Sequence, residues 1–235
     1  MSVGFYDFGS GRGNSMIMAA KIWGGVGVGF EASEPRRNEA INRGLDCRPG
    51  NMIEVMPTIA DNSARYVILN HILEHMESAT IARNVVEHAC RIASEFVFIA
   101  GPWFDGDGEL FAGGCKMFAS DWPEDHPTRV TMLDLHRAYT DSGCVKEYTI
   151  WGRGRIPDTD HPYVFSLAED VRKLPHPYRW QPEINSDKPA THTLHGCFYE
   201  LCSLVFADNI DADSRRLQFT EINKVELIRT ERIKP

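Results

Sequence analysis

Three alternating glycines follow the first apolar segment of the chain, and no other feature limits the fold as strongly. Val3–Phe8 is a short run typical of a buried strand, and residues 9–13 then read Gly-Ser-Gly-Arg-Gly. Glycines at this spacing allow a sharp turn and let a ligand approach the main chain without meeting a Cβ atom. A helix is expected to begin after Gly13, capped by Asn14 or Ser15, with its N-terminus facing the turn. The segment therefore predicts a strand, a ligand-binding turn and a helix.

Strand and helix patterns alternate along the N-terminal part of the chain. The predicted strands cover residues 3–8, 26–30, 52–55, 66–69, 96–100 and 145–151, and the predicted helices cover residues 14–20, 36–43, 77–93 and 131–142. Strands alternating with helices of this length predict a parallel sheet with helices on both faces. Beyond residue 151 the pattern weakens, and residues 152–194 predict a long irregular insertion. Residues 198–207 and 219–229 each predict a strand, one of which should complete the sheet.

An acidic residue, Glu31, ends the second predicted strand. A strand-helix-strand unit places an acid at this point beside a bound ribose, and the carboxylate can accept hydrogen bonds from the ribose hydroxyls. A dinucleotide-binding fingerprint would need glycine where this chain has Asn14, which disfavours NAD, and no Gly-Lys-Ser/Thr follows to make a phosphate-binding loop. A tight turn without a ligand, and a solvated Glu31, are the alternatives.

Several segments then match one family in order. Asp7-Phe8-Gly9-Ser10-Gly11-Arg12-Gly13 resembles the acid-x-Gly-x-Gly-x-Gly first motif of class I S-adenosylmethionine-dependent methyltransferases. Gly29-Phe30-Glu31-Ala32-Ser33 is similar to the end of the family's second strand. Residues 66–76 resemble the fourth strand and its "hxLEH" continuation, which is common in the small-molecule and glycan-modifying branch, and Asp125-His126-Pro127 resembles the approach to that branch's late helix. The resemblance covers roughly residues 3–151.

The resemblance implies a doubly wound, mostly parallel seven-stranded Rossmann-like sheet, with helices on both faces and a C-terminal elaboration. Asp7 and the glycine loop would hold the amino acid moiety of S-adenosylmethionine, and Glu31 would hold the ribose. Asn51 would meet the adenine where the family often has Asp, and Asn70 or His71 would line the reactive side. The full implied cofactor set is Asp7, Gly9, Ser10, Gly11, Gly13, Glu31, Ala32, Asn51, Met52, Asn70 and His71.

The activity implied by the resemblance is transfer of a methyl group to oxygen or nitrogen of a small-molecule or carbohydrate-type acceptor, with S-adenosylhomocysteine as product. His71 and His126 are the candidate catalytic bases, because histidine changes its charge near neutral pH. Residues 1–151 would form the cofactor-binding core, with an insertion at 103–129, and residues 152–235 would complete the sheet and cover the acceptor. A catalytically inactive binding module is one alternative, and an NAD-dependent oxidoreductase is another.

Two further patterns suggest metals, and neither leads us to expect one. His71-Ile72-Leu73-Glu74-His75 matches a zinc signature formally, but the signature needs a continuous helix, and His71 directly follows a strand. We expect Glu74 and His75 to cap the next helix instead. Residues 105–109 alternate Asp and Glu with Gly and predict an acidic turn, since a complete calcium-loop pattern is missing. The aromatic residues of 103–129 could form an acceptor pocket or a small local core.

Charge and composition limit the partners. The chain of 235 residues has 25 basic and 33 acidic residues, a net charge of −8, which disfavours binding to nucleic acid. The sequence has no apolar run long enough for a membrane span and no signal-like start, so we expect a cytoplasmic protein. Its six cysteines lack a C-x-x-C pair and are expected to be buried thiols. Pairing with a second copy stays open.

Overall fold

The computed structural model describes residues 3–121, 124–143, 145–171, 188–207 and 211–233. An eight-stranded sheet lies at its centre, and a separate pair of strands lies beside it. The central strands are β1 Val3–Phe8, β2 Gly27–Glu31, β3 Asp46–Pro49, β4 Ala64–Asn70, β5 Ala93–Pro102, β7 Glu147–Arg155, β9 Phe198–Phe206 and β10 Val225–Arg232. The separate pair is β6 Cys115–Met117 and β8 Val164–Ser166. The helices are α1 Asn14–Trp23, α2 Glu34–Asn42, α3 Met52–Val55, α4 Ala79–Ile92, α5 Asp107–Ala112, α6 Met132–Asp141 and α7 Ala212–Asn223.

The central strands are ordered β10-β7-β9-β5-β4-β1-β2-β3. The five strands from β5 to β3 in this order pair in parallel, whereas β9 is antiparallel to both of its neighbours and β10 is antiparallel to β7. The predicted doubly wound fold is therefore confirmed. The sheet has eight strands rather than the seven expected, because both C-terminal segments that were candidates for the last strand contribute to it.

The position of β1 defines where a ligand can bind. The chain runs from β1 outward to β2 and β3, and it returns to β4 on the other side of β1. Such a reversal leaves a crevice at the carboxyl ends of the strands, which is where open parallel sheets bind ligands. The glycine loop, Glu31 and the Asn70–His71 segment all follow strands that end at this crevice.

Successive residues of the central strand β4 face opposite layers of the core, as the pleat requires. Tyr66 packs with α1 and α7 on one face, stacked between Phe5 and Phe96 at 4.9 Å ring separation from each. Val67 packs on the other face, in the cluster that includes α4 and α6. Helices therefore cover both faces, as predicted.

The third strand and the helix after it differ from prediction. The expected strand at 52–55 is helix α3, because the Asn51 side chain accepts a hydrogen bond from the Ile53 backbone N–H at 3.0 Å and caps it. The third strand is Asp46–Pro49, which pairs in parallel with β2. The Asn51 cap therefore stabilises a helix where the apolar pattern of residues 52–55 predicted a strand.

The strand expected at 219–229 is also wrong in its first half. Phe219 lies in α7, which Asp211 caps by accepting a hydrogen bond from the Ser214 N–H at 3.0 Å. The Phe219 ring packs on Trp151 at 5.1 Å between centroids, so tertiary packing fixes it in the helix. The helix ends at Lys224, whose φ is +44°, and β10 follows.

The segment expected to be irregular is partly ordered. β7 continues to Arg155, and β8 pairs with β6 of the 103–129 insertion, while residues 172–187 lie outside the described part of the chain. The five cysteines other than Cys144 are buried thiols that form no disulfide among the described residues, as predicted. Among the described helices, none has the length and apolar character needed to cross a membrane.

Candidate functional site

The glycine loop is closed by backbone hydrogen bonds and leaves one open position. The N–H groups of Gly9 and Ser10 donate to the Phe30 carbonyl at 2.9 and 3.2 Å, which ties the loop to the end of β2. Gly11 has a φ of +54°, and a Cβ built there would meet no described atom within 4 Å. At Gly13 a Cβ would lie 2.1 Å from Leu45 Cδ1. An alanine at Gly13 would therefore have to displace the Leu45 side chain, whereas Gly11 presents bare backbone to the crevice.

Glu31 is part of this loop rather than a solvated strand end. Only 7% of the residue is exposed. Its Oε2 accepts a hydrogen bond from the Gly11 N–H at 2.8 Å, and its Oε1 accepts one from the Ser33 N–H at 2.7 Å. The carboxylate is thus fixed in orientation, and each oxygen keeps a further lone pair for a ligand.

Asp7 lies at the end of β1 and is almost fully buried, at 1% exposure. Its Oδ2 accepts a hydrogen bond from the Ser15 hydroxyl at 2.5 Å, and its Oδ1 has no partner among the described residues. Burial raises the pKa of Asp7 to about 7, the Ser15 hydrogen bond opposes that rise, and the charge of Glu31 adds to it. Ser15 therefore serves Asp7 and does not cap α1, whose N-cap residue is Gly13.

The remaining predicted cofactor residues follow β1, β2 and β3. Ser10 is buried, with its hydroxyl 3.2 Å from the Cys47 thiol, whereas Ala32 and Asn51 are exposed. Met52 is buried. The Asn51 side-chain oxygen caps α3, so its amide N–H groups remain to meet a ligand. β2 and β3 are neighbours, which places these residues along one edge of the sheet.

His71 directly follows Asn70, the last residue of β4, and joins two buried carboxylates. Its φ is +51°. Its Nε2 lies 2.6 Å from Glu200 Oε1, and its Nδ1 lies 3.2 Å from Glu74 Oε1. Burial alone lowers the pKa of His71, but hydrogen bonds and charge from Glu200 and Glu74 outweigh it and raise the pKa to about 10. A histidine held protonated donates hydrogen bonds and does not accept a proton. Both ring nitrogens are engaged by Glu200 and Glu74, which disfavours the base role expected of His71.

Sequence reasoning missed Glu200 and its partner Arg153. Glu200 lies on β9, only 1% of its side chain is exposed, and it forms an ion pair with Arg153 of β7 as well as the bond to His71. A lone carboxylate inside the apolar run Phe198–Phe206 was the signal that could have found it, since an acid is rarely buried without a partner.

A cavity of about 210 Å³ opens beside His71, and we call it the acceptor cavity. It is lined by His71, Glu74, His75, Pro102, Met117, Phe118, Ala119, Asp125, His126, Tyr163 and Tyr199. The aromatic segment 103–129 contributes Phe118 to this wall, whereas its Phe104 is buried in the core and Phe111 is 69% exposed. Trp122, also of that segment, lies outside the described residues. The Tyr163 and Tyr199 rings lie 4.5 Å apart on the wall.

Two further predictions concern the acidic residues 105–109 and the residues Glu74 and His75. Residues 107–109 of the expected acidic turn lie in α5 instead. Asp105 accepts a hydrogen bond from the Met132 N–H at 3.0 Å and Asp107 accepts one from Arg129 at 3.1 Å, so the two carboxylates hold the loop before α6. The capping role expected of Glu74 and His75 is wrong, because Ser78 caps α4 by accepting from the Ile81 N–H at 3.3 Å.

Comparison with known proteins gives structural relatives only. No family model matches the sequence, and no curated protein matches it. Among solved structures, an S-adenosylmethionine-dependent methyltransferase from Archaeoglobus fulgidus aligns with a TM-score of 0.58 and 15% identity, over 87% of this chain and 86% of the other. One from Thermotoga maritima aligns with a TM-score of 0.54 and 12% identity, over 88% and 84%. A geranyl diphosphate methyltransferase bound to S-adenosylmethionine gives 0.53 and 16%, over 89% and 79%. The chain therefore shares the fold of class I S-adenosylmethionine-dependent methyltransferases.

Proposed function

We propose that the chain is an S-adenosylmethionine-dependent methyltransferase that acts on oxygen or nitrogen of a small-molecule or carbohydrate-type acceptor and releases S-adenosylhomocysteine. The observation that carries this proposal is the direct hydrogen bond between Glu31 and the open glycine of the loop, Gly11, at the crevice beside β1. The acceptor cavity adjoins the same edge of the sheet, because His71 both follows β4 and lines the cavity.

The residues at the crevice fit the chemistry of the cofactor. The free Oδ1 of Asp7 suits a cationic amino group, since a buried acceptor without a partner is costly. Glu31 suits a ribose diol, and Gly11 lets the cofactor approach the backbone. The exposed N–H groups of the Asn51 amide suit the ring nitrogens of adenine, which accept hydrogen bonds. Gly9, Ser10, Gly13, Ala32, Met52 and Asn70 complete the proposed set.

Catalysis in this proposal is mainly positional. Bound S-adenosylmethionine supplies an electrophilic methyl group, so alignment of the acceptor accounts for much of the acceleration. Protonated His71, whose two N–H groups are held by Glu200 and Glu74, places its positive charge beside the cavity. The Nδ1 of His126 lies 2.9 Å from the Ala119 carbonyl, so Nδ1 carries the ring proton. The Nε2 of His126 can then take a proton from the substrate that receives the methyl group.

The division of the chain into two parts, the family branch, the location and the pairing with a second copy belong to the same proposal. Residues 1–151 form the cofactor-binding core, and residues 152–235 complete the sheet and cover the acceptor, as the places of Tyr163 and Tyr199 on the cavity wall support. The "hxLEH" branch, a cytoplasmic location and pairing with a second copy are further predictions. The exposed edge strand β10 would be the surface available for such pairing.

Methyl transfer tests this proposal directly. The purified chain is incubated with methyl-labelled S-adenosylmethionine and a panel of hydroxyl and amine acceptors, beside the Glu31→Ala variant and the surface control Glu34→Gln. We expect labelled product with the wild type and the control, and little with Glu31→Ala. Binding of the cofactor without transfer to any acceptor would instead favour a methyltransferase-like binding module.

A further inference from the structure

Three metal-ligating side chains meet on the wall of the acceptor cavity. Glu74 and His75 belong to the short turn after β4, and His126 belongs to the loop before α6. Each residue offers one ligand atom, and these atoms all lie within 4.8 Å of one another. Two atoms that bind one zinc ion, each at about 2.0–2.2 Å, lie at most about 4.4 Å apart. Small side-chain rotations would therefore bring the three into coordination distance.

Both histidines have the proton arrangement of a metal ligand. The Nδ1 of His75 lies 2.6 Å from the Asp125 carbonyl, and the Nδ1 of His126 lies 2.9 Å from the Ala119 carbonyl. A carbonyl oxygen only accepts, so each Nδ1 carries the proton and each Nε2 keeps its lone pair. Metal-ligating histidines almost always donate their second ring N–H in this way, which fixes both the tautomer and the ring.

The carboxylate of the group is buried and incompletely bonded. Only 2% of the Glu74 side chain is exposed. Its Oε1 contacts His71, whereas its Oε2 has no hydrogen-bond partner among the residues that the structure describes. A buried carboxylate oxygen without a partner is costly, and coordination of a cation would remove that cost.

We infer that Glu74, His75 and His126 bind one divalent transition-metal ion, with Zn²⁺ the ion that best suits two imidazoles and one carboxylate. Three protein ligands are typical of zinc sites that keep a fourth position open for water or a substrate. The open position would face the acceptor cavity, which these residues line. The zinc signature noted at residues 71–75 therefore marks a metal site without the continuous helix that the protease signature needs, and His71 is not one of the ligands.

The role of the ion rests on the proposed function, although its binding does not. An acceptor hydroxyl at the fourth position would be oriented by the ion and would lose its proton more easily, since a bound metal lowers the pKa of a coordinated oxygen. In that case the Nε2 lone pair of His126 holds the metal and is not itself the base.

The test is titration of the metal-stripped chain of 235 residues with Zn²⁺ alone, by calorimetry, with metal analysis of the gel-filtered product. We expect one zinc per chain. His75→Asn and His126→Asn should each weaken binding by at least roughly tenfold, because even loss of an outer partner of a metal ligand commonly costs 10–100-fold. His88→Asn, on α4 away from the cavity, is the matched control and should bind as the wild type does.

Circular dichroism checks that the variants fold, and the two histidines are preferred to Glu74 because they are less buried. No zinc binding by the wild type, or equal binding by the wild type and both variants, would overturn the metal site. Titration with S-adenosylmethionine in parallel separates the two proposals. Zinc binding without cofactor binding would contradict the proposed function alone, and cofactor binding without zinc binding would contradict the metal site alone.

Discussion

The Glu31 carboxylate accepts a hydrogen bond from the Gly11 backbone N–H at 2.8 Å, which connects the end of the second strand to the loop after the first. The same carboxylate accepts from the Ser33 N–H at 2.7 Å. A ligand at the crevice therefore meets an acid that is already oriented, and little side-chain ordering is needed on binding.

Replacing Glu31 should weaken cofactor binding without unfolding the chain. We expect Glu31→Gln to weaken binding of S-adenosylmethionine by about 1–3 kcal/mol, because a charged acceptor of hydrogen bonds is lost. Calorimetric titration measures this effect. Glu34→Gln, on the exposed first turn of α2, is the control and should leave the dissociation constant unchanged. Equal affinities for Glu31→Gln and the wild type would count against the assigned ribose site.

Two glycines of the loop should respond differently to alanine. Gly11→Ala places a methyl group in open space at a φ of +54°, so we expect a stability loss of only about 1–2 kcal/mol but a large loss of cofactor binding. Gly13→Ala drives its Cβ to 2.1 Å from Leu45 Cδ1 and should lower the melting temperature more. Thermal unfolding and titration of both variants separate the effects. A Gly11→Ala variant that binds normally would contradict the proposed approach of the cofactor.

Asp7 should make stability depend on pH. Its folded-state pKa is about 7, well above that of an unfolded Asp near about 3.9. Between these values the folded chain keeps a proton that the unfolded chain has released, so the free energy of unfolding falls as pH rises from about 4 to about 7. Asp7→Asn should flatten this slope, and the exposed control Asp213→Asn should not. Urea unfolding at several pH values measures it, and an equal slope in Asp7→Asn and the wild type would refute the prediction.

Cofactor binding should show the opposite trend with pH. If Asp7 accepts the amino group of the cofactor, binding favours its charged form, and affinity should rise between pH 5.5 and 7 with release of a proton. Titration in buffers of different ionisation enthalpy detects that proton. Affinity that is independent of pH over this range would remove Asp7 from the amino acid site.

The buried ion pair of Glu200 should stabilise the sheet end beside the cavity. Glu200→Gln leaves the His71 and Arg153 cations without their shared carboxylate, and we expect a loss of up to about 3 kcal/mol. That figure is at the low end for buried pairs, because the His71 and Arg153 side chains are 39% and 33% exposed. Glu95→Gln also removes a carboxylate shared by two cations, Arg65 and Arg215, but the Glu95 side chain is 23% exposed, so the loss should be smaller. Urea unfolding of both variants compares them, and equal losses would contradict the buried role.

The residues proposed for the cofactor could be located from sequence because their signals are local. The glycine loop follows β1 directly and Glu31 ends β2, and the alternation of strands and helices fixes which edge of the sheet they share. Asn51 shows where local reasoning failed, since its side chain caps α3 and turned a β-like run into a helix.

The acceptor side could not be predicted in the same way. Tyr163 and Tyr199 line the cavity from segments far along the chain, and the pairing of β9 with β5 brings Glu200 to His71. The cluster of His126 with Glu74 and His75 likewise depends on the loop before α6 folding back over the end of β4. Periodicity carries no information about such long-range placement.

The identity of the cofactor is tested by calorimetric titration of the purified chain with S-adenosylmethionine and, separately, with NAD. We expect one molecule of S-adenosylmethionine bound per chain and no detectable binding of NAD. Preference for NAD, or no binding of S-adenosylmethionine, would contradict the proposed cofactor site.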